Sequence, residues 1–492
     1  MQRDGKIKKF DEALRKGLVN TVEDVESYKL SICHPNSAGI DIGSRENYVA
    51  IPPSVAKELG VSVVRTFPTT SSGHYECVEY LVDCGVTHVA MESTGHYWQT
   101  LRNALEQHGI EVEVVNPRHF RMVPGKKTDV QDCQWLQLLH MYGLLKGSFI
   151  PDEEIQMLRT LNRMRRKIIE EITKQVNRMQ KALVGMNIML GNVVSDVTGK
   201  TGMAIICAIL DGERDPFKLA ELRDGRCKRS EAEIAEALNG NGRKDLMFEL
   251  AFAKENYEHQ MACLEILDKE IVKMVESLPD AKPLDEDVDP DPKGGDEAQK
   301  KKTDRRRAGK NSLRTDVNME DLLARKTGTR ITDLDGFGVS TVLTLLCEVG
   351  RDLSRFPDAA HFVAYLGLAP RNKITGGVLL SSKTDRNKHP AAIALKSVVP
   401  SLSLTDAPLA SFYHSVRGRS GTGKAITAVA RKLAIQYYMA LSYGVAYVKK
   451  GEQLRKENSE KRKLAKFLAT AQKLNIPIDY EKMQNCCDAF VQ

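Results

Sequence analysis

Apolar residues follow two rhythms along this chain. From Ser37 the segments AGIDIG, NYVAI and VSVVRTF are short, rich in β-branched residues and broken by turn residues, and they read as three β-strands. A helical stretch at 75–84 comes next, then the strand VTHVAME, a helix over about 95–108, the strand IEVEVV, and a helix starting near Lys127. Three strands followed by alternating helices and strands predict an α/β domain with a mixed sheet over residues 36–150. Beyond it the period lengthens. Leu158, Leu161, Met164, Ile168, Ile172, Val176, Met179 and Leu183 recur at steps of three and four, one face of a long helix. A second amphipathic candidate spans 245–278, and the two predict an antiparallel coiled-coil arm over 151–280.

The pattern breaks in a charged stretch, where an acidic half (DEDVDPDPKGGDE) gives way to a basic half (KKKTDRRRAGK) with almost nothing to bury. Such a composition predicts a disordered linker, here 281–328. A mainly helical region returns over 329–450. Residues 1–35 form a basic extension and 451–492 a charged tail.

Composition narrows the function only a little. The hydrophobic share of 42% suffices for packed cores, while a net charge of +7 and a pI near 8.7 are too mild to name a partner. The ten cysteines form no CxxC pair and have no histidines at ligand spacing, which argues against a zinc site or disulfide framework. The N-terminus has no apolar signal core, and no run of eighteen apolar residues occurs, so the reading is a cytoplasmic protein with no membrane span.

Four acids carry the candidate chemistry. Asp41 follows the apolar run AGI, and Glu92 ends the strand VTHVAME just before a helix-opening STG. Asp129 and Asp132, three apart in a helix, share a face, with Lys126 and Lys127 immediately before them as phosphate contacts. Cutting a phosphodiester requires neutralising the phosphate and activating the attacking and leaving oxygens. Two Mg²⁺ (or Mn²⁺) ions on hard oxygen ligands do both. Any one of these acids alone is more often structural: DIGS also occurs in phosphate loops of actin-like ATPases, and Asp129 and Asp132 suit a helix start. The ordered set is more specific.

Taken in order, GIDIG, MESTG, and VNP followed by KTDVQD resemble the RuvC-like domain of the DEDD-type insertion-sequence transposases, relatives of pilin-gene invertases that include bridge-RNA-guided recombinases. The similarity continues through 211–238 and 331–448. It implies an RNase H-like first domain whose metal ligands match Asp41, Glu92, Asp129 and Asp132. It also implies double-stranded DNA and a non-coding bridge RNA as partners. Joining two DNA molecules needs several copies of the site, so the helical arm is expected to build a homo-oligomer (dimer or tetramer).

The C-terminal region offers a second site. Gly336 and Gly338 flank Phe337 at the entry to the helical run STVLTLLCEVG. Free backbone N–H groups there could grip a DNA phosphate, as in helix-hairpin-helix modules; an ordinary helix-start turn explains the glycines equally well. Arg371, Lys373, Gly376 and Gly377 belong to the most basic surface candidate, GLAPRNKITGGVLLSSKTDRNK, and Arg163, Arg165 and Arg166 to another on the arm. The resembling family carries a nucleophilic serine just before the glycine, where this chain has Thr375. Threonine is a competent but more crowded nucleophile. The alternatives are Ser381 or Ser382, or a protein impaired in strand transfer; Thr375 is the favoured choice. GRSGTGKA at 418–425 mimics a P-loop but lacks the metal-binding Ser/Thr after its lysine and any preceding strand. Two rivals to the transposase stand open: a RuvC-like nuclease without a covalent intermediate, and a non-catalytic nucleic-acid-binding derivative.

Overall fold

The computed structural model describes residues 30–93, 95–116, 128–145, 147–285, 312–370, 372–376, 378–382, 384 and 389–473. The chain divides into two units, residues 1–150 and 151–492.

The first unit runs β1 (Ser37–Ile42), β2 (Glu46–Ala50), α1 (Pro53–Leu59), β3 (Val64–Pro68), α2 (Ser71–Asp83), β4 (His88–Glu92), α3 (Trp98–Gln107), β5 (Glu111–Val115) and α4 (Asp129–Met141). Its sheet has the order β3-β2-β1-β4-β5. The β1–β2 and β2–β3 pairs are antiparallel, and β1–β4 and β4–β5 are parallel. This is the RNase H-like mixed sheet. Helix α1 was not expected from the β-rich texture around it. Pro53 opens it with φ already helical, and Gly60 ends it at φ +64°, signals that outweigh the flanking strands.

Strand alternation sorts the two faces of the sheet. Ala38, Ile40, Ile42, Val89, Met91 and Val114 pack with Cys77 and Leu81 of α2 and Leu101 and Leu105 of α3. The opposite face takes α4, whose Trp135, Leu136 and Leu139 pack with Val115. The C-terminal end of α4 is pinned twice. The backbone N–H groups of Cys33 and His34 donate to the carbonyl of Met141, and His140 Nδ1 lies 3.3 Å from Glu113 Oε2. Residues 33 and 34 are therefore attached to the domain, a correction to the loose extension expected over 1–35; residues 1–29 lie outside the described residues.

The second unit contains α5 (Glu153–Gly185), the short helices α6 (Leu190–Val193), α7 (Lys200–Leu210), α8 (Pro216–Glu221) and α9 (Glu231–Ala237), and α10 (Lys244–Ser277). It continues with α11 (Met319–Thr327), α12 (Val339–Val349), α13 (Ala359–Tyr365), β6 (Lys373–Thr375), β7 (Val378–Ser381), α14 (Pro390–Leu402), α15 (Pro408–Ser420), α16 (Thr422–Tyr443) and α17 (Val445–Lys473). Helices α5 and α10 are antiparallel: Arg165 meets Asp268, while Gly185, further along α5, abuts Leu246, further back along α10. Buried positions on α5 recur in sevens, as Leu158, Arg165, Ile172 and Met179 and as Ile168, Gln175 and Ala182. That is a coiled-coil seam.

Three expected boundaries shift. The arm and the C-terminal region belong to one unit, because Arg163 of α5 donates from Nε and Nη2 to the carboxylate of Glu348 on α12, at 2.8 and 2.7 Å. Parts of the expected linker are ordered. Ala281 N–H donates to the Arg325 carbonyl, Leu284 N–H to that of Gly328, and α11 buries Met319, Leu322 and Leu323. These few apolar residues supply a face to bury that the surrounding charge conceals; 286–311 lies outside the described residues. Finally, α17 runs through the boundary expected at 450. The P-loop look-alike is the turn between α15 and α16, where Gly421 has φ +83° and a helix, not a strand, precedes it. Among the described residues no helix is long and apolar enough to cross a membrane.

Candidate functional site

Asp41 and Glu92 lie at the C-terminal ends of neighbouring parallel strands. Ile40 pairs with Met91, so Asp41 and Glu92 are the next residues along β1 and β4. Glu92 pairs in turn with Val115, which packs under α4, and register partners share a face. Both acids therefore belong to the face that α4 covers.

How closely α4 approaches is set by one residue. A Cβ on Gly39 would collide with the backbone of Cys133 and Gln137, so glycine alone lets the helix lie directly on β1. Gln137 Nε2 donates to the Ser37 carbonyl at 3.3 Å, while Met141 receives the N–H groups of residues 33 and 34. Helix and strand thus run in opposite directions. From Ser37 to Asp41 the strand climbs about 13 Å, and from Gln137 back to Asp129 the helix climbs about 12 Å. The first turn of α4, with Asp129 and Asp132, arrives at the level of Asp41. Thr128 fixes that end as the N-cap, its hydroxyl accepting from Gln131 N–H at 3.3 Å.

Electrostatics support this placement. Burial, and then the negative charges of Asp41 and Asp132, push the Cys133 thiol up to about 12. Acids from the strand and from the helix therefore act on one atom. The donors are carboxylate oxygens, the hard ligands that Mg²⁺ or Mn²⁺ prefers. Among the described residues no three His, Cys, Asp or Glu side chains converge closely enough to hold an ion. The acids share a face and an end of the sheet without forming a finished ligand shell. Lys126 and Lys127 lie outside the described residues.

Gly39 went unremarked in the sequence, although a glycine inside an apolar strand is a known sign of close backbone approach. Gly39→Ala is expected to destabilise the domain by about 1–3 kcal/mol, the range for overpacking a core. Urea unfolding checks this; an unchanged midpoint would refute the close strand–helix contact.

In the second unit, Thr375 pairs with Val378 across a two-residue turn, and Gly376 there has φ +57°. A Gly-Gly pair between β-branched runs suits a tight hairpin, a signal the sequence reading used only as backbone freedom. The hairpin is well exposed at Thr375, Ile374, Leu379 and Leu380. Ser381 pairs with Lys373 at its base, and Ser382 follows, exposed. Arg371 and Gly377 lie outside the described residues. Gly336 has φ +88° in a turn closed by Phe337 N–H donating to the Leu334 carbonyl, and Gly338 is the N-cap of α12.

The arm arginines need correcting. Arg165 is 4% exposed, and its Nε donates to Asp268 Oδ1 at 2.5 Å. It occupies a seam position, so its charge must be paired within the protein and is not presented to a phosphate. Arg163 is clamped on the fully buried Glu348, and Arg166 Nε lies 3.8 Å from Glu170. The charged side of the arm looked like a nucleic-acid surface because sequence periodicity does not show which cations have buried partners.

Comparison with known families agrees with the two-part layout. A family model described as transposase, of the DEDD IS110 type, matches residues 38–188. A second, described as transposase of the IS116/IS110/IS902 family, matches residues 328–393. The first takes in all four acids and the second takes in Thr375. No curated protein matches the chain.

Proposed function

The chain belongs to the IS110 family of transposases, enzymes that cut and rejoin DNA, and we propose that it does so with the acidic quartet and a hydroxyl nucleophile at Thr375. The observation that carries this reading is the docking of α4 against β1 through Cys133 and Gln137 at Gly39, which sets its first turn level with the end of the strand where Asp41 lies beside Glu92.

Asp41, Glu92, Asp129 and Asp132 would hold Mg²⁺ or Mn²⁺. When bound, such ions neutralise phosphate charge and lower the cost of developing negative charge on the reacting oxygens. Thr375 Oγ1 attacks the phosphorus, giving up its proton, and one bridging deoxyribose oxygen leaves as a hydroxyl. The protein is then esterified to the DNA end. Attack of a second strand's hydroxyl on that ester reverses the exchange and joins new partners, with no external energy source.

Exposure of the hairpin supports this role, since a nucleophile that works on duplex DNA has to be reachable. A bridge RNA selecting donor and target, and an oligomer bringing several copies to the junction, complete the proposal. The turn at Gly336 and Gly338 and the strand opening at Lys373 are the proposed phosphate contacts, together with Lys126, Lys127, Arg371 and Gly377.

The test is chemical. Full-length protein, duplex DNA carrying the natural flanks of its gene, RNA transcribed from those flanks and Mg²⁺ are combined, then denatured. A protein–DNA adduct containing phosphothreonine is expected. Hydrolysis without an adduct would favour the plain RuvC-like nuclease, and retention without cleavage the non-catalytic derivative.

A further inference from the structure

The excursion carrying Thr375 leaves the helical body after Leu368 and returns at His389, the N-cap of α14. Its two ends are bridged. His389 Nε2 lies 3.2 Å from the Tyr365 hydroxyl, and the rings meet edge to face with centroids 5.0 Å apart. His389 Nδ1 accepts the N–H of Ala391 at 3.3 Å, which leaves the ring proton on Nε2 to be donated to Tyr365. Burial drives the His389 pKa down to about 4, so the ring stays neutral at physiological pH.

From Tyr365 the connection continues into the arm. Arg159 of α5 lies beside the Tyr365 hydroxyl, close enough for each to act on the other's ionisation. Arg159 Nε donates to the Cys347 carbonyl at 3.4 Å and lies 3.6 Å from the carboxylate of Glu348, and its Nη2 donates to the Glu348 carbonyl. Glu348 is fully buried, and its carboxylate is also held by Arg163. One polar chain therefore runs from the arm through α12 and α13 to the point where the excursion rejoins the body.

We infer that Arg159, Glu348, Tyr365 and His389 form a clasp that positions the Thr375 hairpin by closing the neck of its excursion and tying it to the coiled-coil arm. They are positioning residues, and this role rests on the reading of Thr375 as the nucleophile. Burying so many polar groups is costly unless every one is paired, and an apolar neck would hold α13 to α14 without them. A directional chain provides what apolar packing does not: a fixed ring orientation where an excursion of about twenty residues rejoins the body.

Two substitutions at one position separate the clasp from helix capping. His389→Asn keeps a good N-cap acceptor but does not reach Tyr365. His389→Gln keeps an N–H near the place of Nε2. Tyr365→Phe removes the hydroxyl alone. The assay is single-turnover adduct formation with the DNA, RNA and Mg²⁺ described above, alongside DNA retention, melting temperature, and hydrogen exchange over 372–382. His389→Asn and Tyr365→Phe are expected to slow adduct formation by about 10²-fold, the scale of a small misplacement of a reacting group, with retention unchanged. Exchange should rise over the hairpin before the rest of the unit, and His389→Gln should restore most of the rate. Wild-type rates in both deficient variants would overturn the clasp. So would losses that follow the melting temperature with exchange rising uniformly. Should Thr375→Ala still form the adduct, the nucleophile assignment fails separately, and the exchange result alone decides the clasp: a rise confined to the hairpin sustains it, and no change refutes it.

Discussion

Replacing Asp129 with alanine is expected to reduce DNA cleavage to background, a loss of at least about 10²-fold, as for other groups preorganised around transition-state charge. The fold should hardly notice. Asp129 opens α4, where an acid gains only about 0.3–1 kcal/mol from the helix dipole, and the Thr128 cap remains. DNA retention, which the proposal assigns to other residues, should persist. The measurement is cleavage of flank DNA in Mg²⁺ beside a thermal melt and a filter-binding assay. Cleavage at the wild-type rate would remove Asp129 from the metal site. Cleavage lost together with the fold would show that the acid is structural.

Thr375→Ala is expected to abolish the adduct, and Thr375→Ser to keep or raise its rate. The second result follows from sterics: removing the β-methyl frees χ1 and opens the approach of the oxygen to phosphorus. Because Thr375 is exposed on a hairpin, neither change disturbs a core, and the melting temperature should stay put. An adduct that survives Thr375→Ala would move the nucleophile to Ser381 or Ser382, the first of which sits at the hairpin's base opposite Lys373.

The clearest parts of the sequence were those where chemistry and local structure coincide. A strand ending in an acid, a second strand ending in an acid, and two acids at a capped helix start can each be read from a few neighbouring residues. Whether they face one another depends on register and on helix packing. Here Gly39 decides the packing, and its partners Cys133 and Gln137 lie about a hundred residues away. The same limit explains the arm. Arg165 recurs every seven residues with Leu158, Ile172 and Met179, yet only the presence of Asp268 across the seam shows that a cation belongs there. The clasp was invisible for a related reason, since Arg159, Glu348, Tyr365 and His389 are ordinary residues one at a time.

By itself, then, the sequence determined the mixed sheet, the pairing of two long helices and the placing of four acids at two strand ends and one helix start, all of which follow from local periodicity and short motifs. Tertiary structure alone decided that Asp41 and Glu92 lie beneath α4, that Arg163 and Arg165 serve buried carboxylates, and that His389 meets Tyr365. Those outcomes depend on contacts between residues far apart in the chain. Their energies come from burial and pairing, which no window of neighbouring residues contains.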